Sequence, residues 1–205
     1  NGFGRKFSKG CGIYTRMNNS QSIVDIIKSR RNTKQFVNRN VTDDELCILL
    51  DAAVWAPNHR NIEPWRFFVV RKDSSVKSDI AHALIDIQEK AVGSPSSEIQ
   101  KQRIIEEVSN YPSLVFVYSL VDDREEMTEE NYGAVCCAIQ NMQLVATSMG
   151  LSVGWSTGKM SKLQNMHSVF GITEKLKMVG VLTIGEAENS VDKVRTSYEE
   201  LTQWF

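Results

Sequence analysis

The spacing of apolar positions changes along the chain, and each change marks an element. From Ser22, the residues Ile23, Ile26 and Ile27 recur on one helical face until the basic pair Arg30-Arg31 interrupts them. Thr42-Asp43-Asp44-Glu45 is a capping-box sequence. Behind it, Leu46, Leu49, Leu50 and Ala53 share one face, which predicts a second helix ending before Pro57. The period then shortens. Residues 66–71 (RFFVVR) and 114–120 (LVFVYSL) are β-branched and aromatic runs of strand length, and two helical stretches, 75–91 and 97–110, lie between them. The break Gly93-Ser94-Pro95-Ser96 separates these two helices and is a candidate lid.

Residues 128–149 carry the longest helical pattern, dense in Ala, Cys, Ile, Met and Leu, with Gly150 where a left-handed residue ends a helix. It is apolar on most sides and is expected to lie centrally. Strands are predicted at 152–155 and 178–184, with a short helix from Ser161 between them. This succession first suggests one α/β domain. After Gly185 the chain turns polar yet ends in Tyr198, Trp204 and Phe205, aromatics that require a surface to pack on.

Composition narrows the function classes. The 205 residues are 41% hydrophobic and 24% charged, a globular profile, and no apolar run approaches the roughly 18 residues that a membrane helix needs. A formal net charge of -1, with acids and bases interspersed, offers nucleic acid no electrostatic footprint. The four cysteines, Cys11, Cys47, Cys136 and Cys137, match neither metal-pair spacing nor a CxxC motif. They read as reduced thiols, which places the protein in a reducing, cytoplasmic compartment, with Cys136 and Cys137 as small core residues. His59, His82 and His167 fall on separate elements, so no three-histidine metal site is expected, and His82 and His167 are assigned to the surface. Residues 1–16 are basic and free of acids. With Met17 as the expected initiator, they read as a leader or vector-derived segment ahead of one domain, 17–205.

Two stretches carry candidate chemistry. Between Ser29 and Phe36, three cations, Arg30, Arg31 and Lys34, stand with Asn32 and Thr33 at a helix end. The set suits a phosphate, through charge-assisted donors; equally, it suits a solvated helix end whose bases complement the macrodipole. Pro57 then opens a polar loop with an imidazole, His59, and two amides, Asn58 and Asn61, before Pro64-Trp65 leads into a strand. Such a loop is either a ligand site or a plain connection with Trp65 as core anchor.

Taken together, the two stretches resemble the flavin-binding nitroreductase family, which carries an RRSxRxF-like element and then an APSxxNxQPWxF-like element. Here these read Arg30-Arg31-Asn32-Thr33-Lys34-Gln35-Phe36 and Ala56-Pro57-Asn58-His59-Arg60-Asn61-Ile62-Glu63-Pro64-Trp65-Arg66-Phe67. The likeness continues through Tyr132-Gly133-Ala134, Gln140-Asn141-Met142-Gln143-Leu144, the run from Gly150 to Gly158, and Ile184-Gly185, covering nearly all the chain after Met17.

The resemblance implies an α+β nitroreductase-like fold, with a mostly antiparallel central sheet flanked by helices. It also implies a domain-exchanged homodimer in which a tail, about 186–205, embraces the neighbour. FMN is the implied cofactor, its phosphate and ribityl chain held by Arg30, Arg31, Asn32 and Lys34 and completed by Lys193 and Arg195. Pro57, Asn58, His59 and Asn61 would come from the partner subunit to lie against the flavin. The backbone of Trp155, Ser156, Thr157 and Gly158 would approach its reactive N5. Asn32 stands where the family has serine, and Glu63 where it has glutamine; Glu63 is expected to face solvent or to pair with Arg60 or Arg66. The implied activity is ping-pong transfer from NADH or NADPH to nitroaromatics or quinones, with no catalytic side chain and no metal. Dehalogenation, flavin destruction, or flavin binding without turnover are the alternatives on the same fold.

Overall fold

The computed structural model describes residues 22–163, 165–189 and 192–205; the expected leader, Met17 and Cys11 lie outside them. Helix α1 (Ile23–Ser29) starts where the Ser22 hydroxyl accepts the Asp25 amide proton at 3.2 Å. Helix α2 (Asp43–Ala53) opens on a complete capping box. Thr42 Oγ1 accepts from the Glu45 amide at 3.2 Å, and the Glu45 carboxylate accepts from the Thr42 amide at 2.9 Å. Arg39 locks this box by donating to Glu45 Oε1 at 2.6 Å. Replacing Thr42 with alanine is expected to cost about 1 kcal/mol. Urea unfolding checks it: the midpoint falls with an unaltered slope, whereas an unchanged midpoint shows that the cap carries no stability.

Strands β1 (Trp65–Arg71), β2 (Ser113–Leu120), β3 (Ser152–Ser156) and β4 (Leu176–Gly185) form one sheet in the order β1-β2-β4-β3, every neighbouring pair antiparallel. The interior strand β2 is buried from Ser113 through Ser119, which explains its unbroken apolar run. Its side chains serve two cores by period-two alternation. Val115 and Val117 pack with α2 and the long helix α5 (Glu125–Ser148), while Leu114, Phe116 and Tyr118 face the opposite layer. That layer holds the hairpin of α3 (Val76–Val92) and α4 (Glu98–Asn110) together with short helix α6 (Met166–Val169). The buried Lys77 ties the hairpin together, donating to the carbonyls of Ser109 at 3.0 Å and Tyr111 at 2.5 Å.

The sheet, the nine principal helical and strand elements and the core anchor Trp65 therefore agree with the sequence reading, and four details differ. Helix α5 begins at Glu125 rather than near residue 128, because the acidic turn Glu125-Glu126 favours a helix N-terminus although it lacks the apolar pattern. The helix predicted from Ser161 is instead a 3-10 turn, Lys159–Lys162, followed by α6. Cys136 is only half-buried and Cys137 is exposed, since the roughly 100° step between helical neighbours turns Cys137 off the face that covers the sheet. His82 lies on the surface, but His167 is half-buried, its ring edge-on to Tyr118 with centroids 5.4 Å apart.

The expected tail also begins later than residue 186. Val37 donates to the Glu186 carbonyl at 3.0 Å and Glu188 donates to Gln35 at 3.1 Å, so residues 186–188 belong to the body. From residue 192 the side chains are exposed, with α7 (Tyr198–Leu201) and both terminal aromatics uncovered, Trp204 by 85%. Among the described residues, no helix is long and apolar enough to cross a membrane.

Candidate cofactor site

The segment from Arg30 to Phe36 runs beside the edge strand β3. Asn32 forms a parallel bridge with Val153, and its side-chain oxygen accepts from the Trp155 amide at 2.6 Å. Gly154 makes this approach possible, because a Cβ there would run into the Thr33 carbonyl oxygen. Gly180 does the same for the indole of Trp155, which lies across it and donates to the Val179 carbonyl at 3.4 Å. The basic segment and the Trp155-to-Gly158 turn are thus clamped together. A Gly154→Ala substitution is expected to cost about 1–2 kcal/mol by forcing the two backbones apart. A thermal melt that matches the parent protein would exclude such a clamp.

The two arginines of the segment divide the two readings offered by the sequence. Arg31 closes the end of α1, donating to the carbonyls of Lys28 at 2.6 Å and Arg30 at 3.1 Å. Arg30 sits in a different field. Its guanidinium is held below the ordinary arginine range by burial first, then by the charges of Arg195 and Arg31. Arg195, 165 positions later in the numbering, therefore lies near enough for its charge to act on Arg30. Cations gathered in this way favour an anion between them. Lys34 and Lys193 are exposed nearby in sequence.

At the far end of this edge, Trp155 and Ser156 finish β3 and are half-buried, while Thr157 and Gly158 are exposed. Among the described residues a Cβ on Gly158 would meet nothing nearer than Ser156 Oγ at 4.0 Å, so none of their atoms requires glycine there. The open backbone suits a flat ligand lying against it.

The loop after α2 is built differently. Asn58 folds it by accepting the Glu63 amide proton at 2.9 Å and donating to the Ala56 carbonyl at 3.4 Å. Arg60, Asn61 and Glu63 all adopt positive φ, at 50°, 56° and 50°. Three non-glycine residues in the left-handed region make a strained loop, of the kind found at ligand clamps. His59 Nδ1 lies 3.1 Å from Glu130 Oε2 in α5, a partner the sequence gave no signal for. Glu63 is exposed and Arg66 pairs instead with Glu174 at 2.8 Å, which leaves the solvent-facing alternative for Glu63. Pro57 is likewise exposed.

The structure therefore gathers Arg30, Asn32, Trp155 and Arg195, and it leaves the loop from Pro57 to Asn61 apart from them. Glu130 holds His59 near the start of α5, whereas Asn32 pairs with Val153 beyond its end. From Glu130 to Ser148 that helix rises roughly 27 Å. One chain does not bring both half-sites onto a single small ligand. The interior glycine of β3 was the signal in the sequence for the close approach, since an isolated glycine in a strand marks a neighbouring backbone.

Residues 27–186 match the model of the nitroreductase family. The chain belongs to this family. Among its relatives is YfhC of Bacillus subtilis (strain 168), provisionally named an NAD(P)H nitroreductase, which is 27% identical over 173 residues, 84% of this chain and 88% of YfhC. The crystal structure of a nitroreductase-like family protein from Bacillus cereus is 27% identical and superimposes with a TM-score of 0.78, covering 92% of this chain and 98% of that one. The FMN-dependent nitroreductase NfnB from Mycobacterium smegmatis, solved with NADPH, shares the fold at 17% identity, with a TM-score of 0.68 and coverage of 88% and 96%.

Proposed function

We propose that the protein is a homodimeric, FMN-dependent NAD(P)H oxidoreductase acting in a reducing, cytoplasmic compartment. The observation that carries this reading is the convergence of Arg30 and Arg195 beside the edge strand whose end exposes Thr157 and Gly158. The like charges of Arg30 and Arg195 suit a phosphate, and the open backbone of the turn suits a ring system. In this reading Arg30, Arg195, Lys34 and Lys193 neutralise the phosphate, and Arg31 contributes while closing α1. Asn32 keeps its oxygen on the Trp155 amide and turns its NH2 group toward the ribityl chain.

When bound, FMN supplies the two-electron chemistry, taking hydride from NADH or NADPH and reducing nitroaromatic or quinone acceptors. The chain's own residues orient and screen. Trp155 to Gly158 form one wall, and Pro57, Asn58, His59 and Asn61 of a second copy form the other, because one chain holds its two half-sites apart. The exposed apolar residues support that second copy. Ile23, Val24 and Ile27 on α1, Trp55 at the end of α2, and Tyr198, Leu201, Trp204 and Phe205 in the tail are uncovered by their own chain.

Two measurements test the reading. The purified protein is expected to absorb in the flavin's blue band, with one FMN per chain, and a colourless preparation that takes up no added FMN overturns it. Because donor and acceptor use one stacking position in turn, double-reciprocal plots for NADPH at several menadione concentrations are expected to be parallel. Intersecting lines would mean that both bind together.

A further inference from the structure

The turn that follows Thr157 and Gly158 carries charge that the cofactor reading does not use. Residues Lys159–Lys162 form a single 3-10 turn. In that geometry side chains three positions apart stand on one side, so Lys159 and Lys162 share a face, and both are exposed. The turn is fixed in place. Met160 and Leu163 pack into the core layer beneath α3 and α6, and the Ser161 hydroxyl donates to the Gly158 carbonyl at 2.8 Å. Like charges three positions apart on a helical turn repel each other. None of the ion pairs among the described residues includes either lysine, so both charges are available to an anion.

Between this turn and α3 lies a cleft of about 620 Å³, within the range of small-molecule sites. Its inner lining is apolar. Leu163 is buried there and Ala83 and Ile87, one helical turn apart on α3, are half-buried. Its exposed rim is polar, with Lys90, Lys162, Asp86 and Asn165. Two ammoniums therefore stand against one carboxylate. A phosphate monoester carries nearly two negative charges near neutral pH, whereas each phosphorus of a pyrophosphate diester carries one. The rim thus matches a monoester, and the apolar lining matches a flat body attached to it.

We infer that this cleft takes the adenosine end of NADPH and so makes NADPH the preferred donor over NADH. The inference rests on the flavin reading, which brings the nicotinamide to the wall formed by Thr157 and Gly158. The adenine lies on Ala83, Ile87 and Leu163, and the 2′-phosphate is held by Lys90 and Lys162. Asp86 accepts from the neighbouring ribose 3′-hydroxyl. Lys159 stands about 6 Å closer to Gly158 along the turn than Lys162 does, which suits the pyrophosphate shared by both donors. Lys162 and Lys90 therefore discriminate between the donors, and Lys159 does not.

Two measurements on the FMN-loaded protein test this: kcat/KM for NADPH and for NADH with menadione as acceptor, and calorimetric binding of adenosine 2′,5′-bisphosphate. The parent is expected to prefer NADPH. Lys162→Met and Lys90→Met are each expected to lower the NADPH-to-NADH ratio about fivefold, the scale of an exposed ion pair, and to weaken the bisphosphate in proportion. Lys162→Arg is expected to restore both, and Lys159→Met to weaken the two donors alike. A parent that prefers NADH, or a Lys162→Met protein whose ratio and bisphosphate affinity are unmoved, overturns the assignment. The flavin absorbance separates this failure from that of the underlying reading. A protein that takes up no FMN overturns both, whereas full flavin and turnover with an unmoved ratio overturn the adenosine cleft alone.

Discussion

Arg30→Ala is expected to release the cofactor. Its guanidinium is partly buried and surrounded by like charge from Arg195 and Arg31, an arrangement that is unfavourable until an anion arrives. Deleting a charge-assisted contact to a phosphate costs about 1.5–3 kcal/mol, which corresponds to more than tenfold in FMN affinity. Folding should be almost unaffected, because in the cofactor-free protein the substitution removes a repulsion rather than a bond. The expected result is an unchanged melting temperature without FMN and a flavin band lost on gel filtration. Retention of the full flavin complement would remove Arg30 from the site. Arg31→Ala separates the two roles: loss of its bonds to Lys28 and Arg30 frays the end of α1, so that variant is expected to melt lower.

Ending the chain at Asn189 is expected to undo assembly. That cut keeps the pairing of Glu186 and Glu188 with the segment around Gln35, so the body remains closed. It removes Tyr198, Leu201, Trp204 and Phe205, whose apolar surface has no cover in their own chain, and it removes Arg195. Large aromatics contribute most where an interface buries them fully. Light scattering is expected to move from dimer toward monomer, with flavin lost in parallel. A truncated protein that remains dimeric and fully flavinated refutes the tail as an embracing arm. Arg195→Ala in the full chain isolates the charge from the apolar contacts: it is expected to loosen FMN while leaving the dimer intact.

Much of the scaffold is legible because its signals are local. The capping box at Thr42 involves residues three apart, and β2 betrays its interior position by a continuous apolar run. The basic cluster at Arg30 and the Pro57 loop stand out by composition. Their chemistry does not. Asn32 looks like a donor to phosphate, yet its oxygen is committed to the Trp155 amide 123 residues away. His59 looks like a ligand group, yet it faces Glu130, an unremarkable acid on a helix. Arg30 and Arg31 are indistinguishable as neighbours in a sequence, and only the path of α1 turns one onto its own carbonyls and the other toward Arg195.

Short-range physics in the sequence settles where helices begin, which strands are interior and which residues concentrate charge, since capping, alternation and periodicity act over a few positions. Which cation meets which strand is set by long-range packing. The pairing of Asn32 with β3 exists because Gly154 has no Cβ to hold Thr33 away, and Arg195 reaches Arg30 because residues 186–188 are pinned beside the segment from Gln35 to Val37. The separation of the two half-sites along α5 has the same origin. A length of helix imposes a distance that no local pattern encodes, and the cleft beside Lys162 exists only because Met160 and Leu163 anchor their turn in the layer below α3.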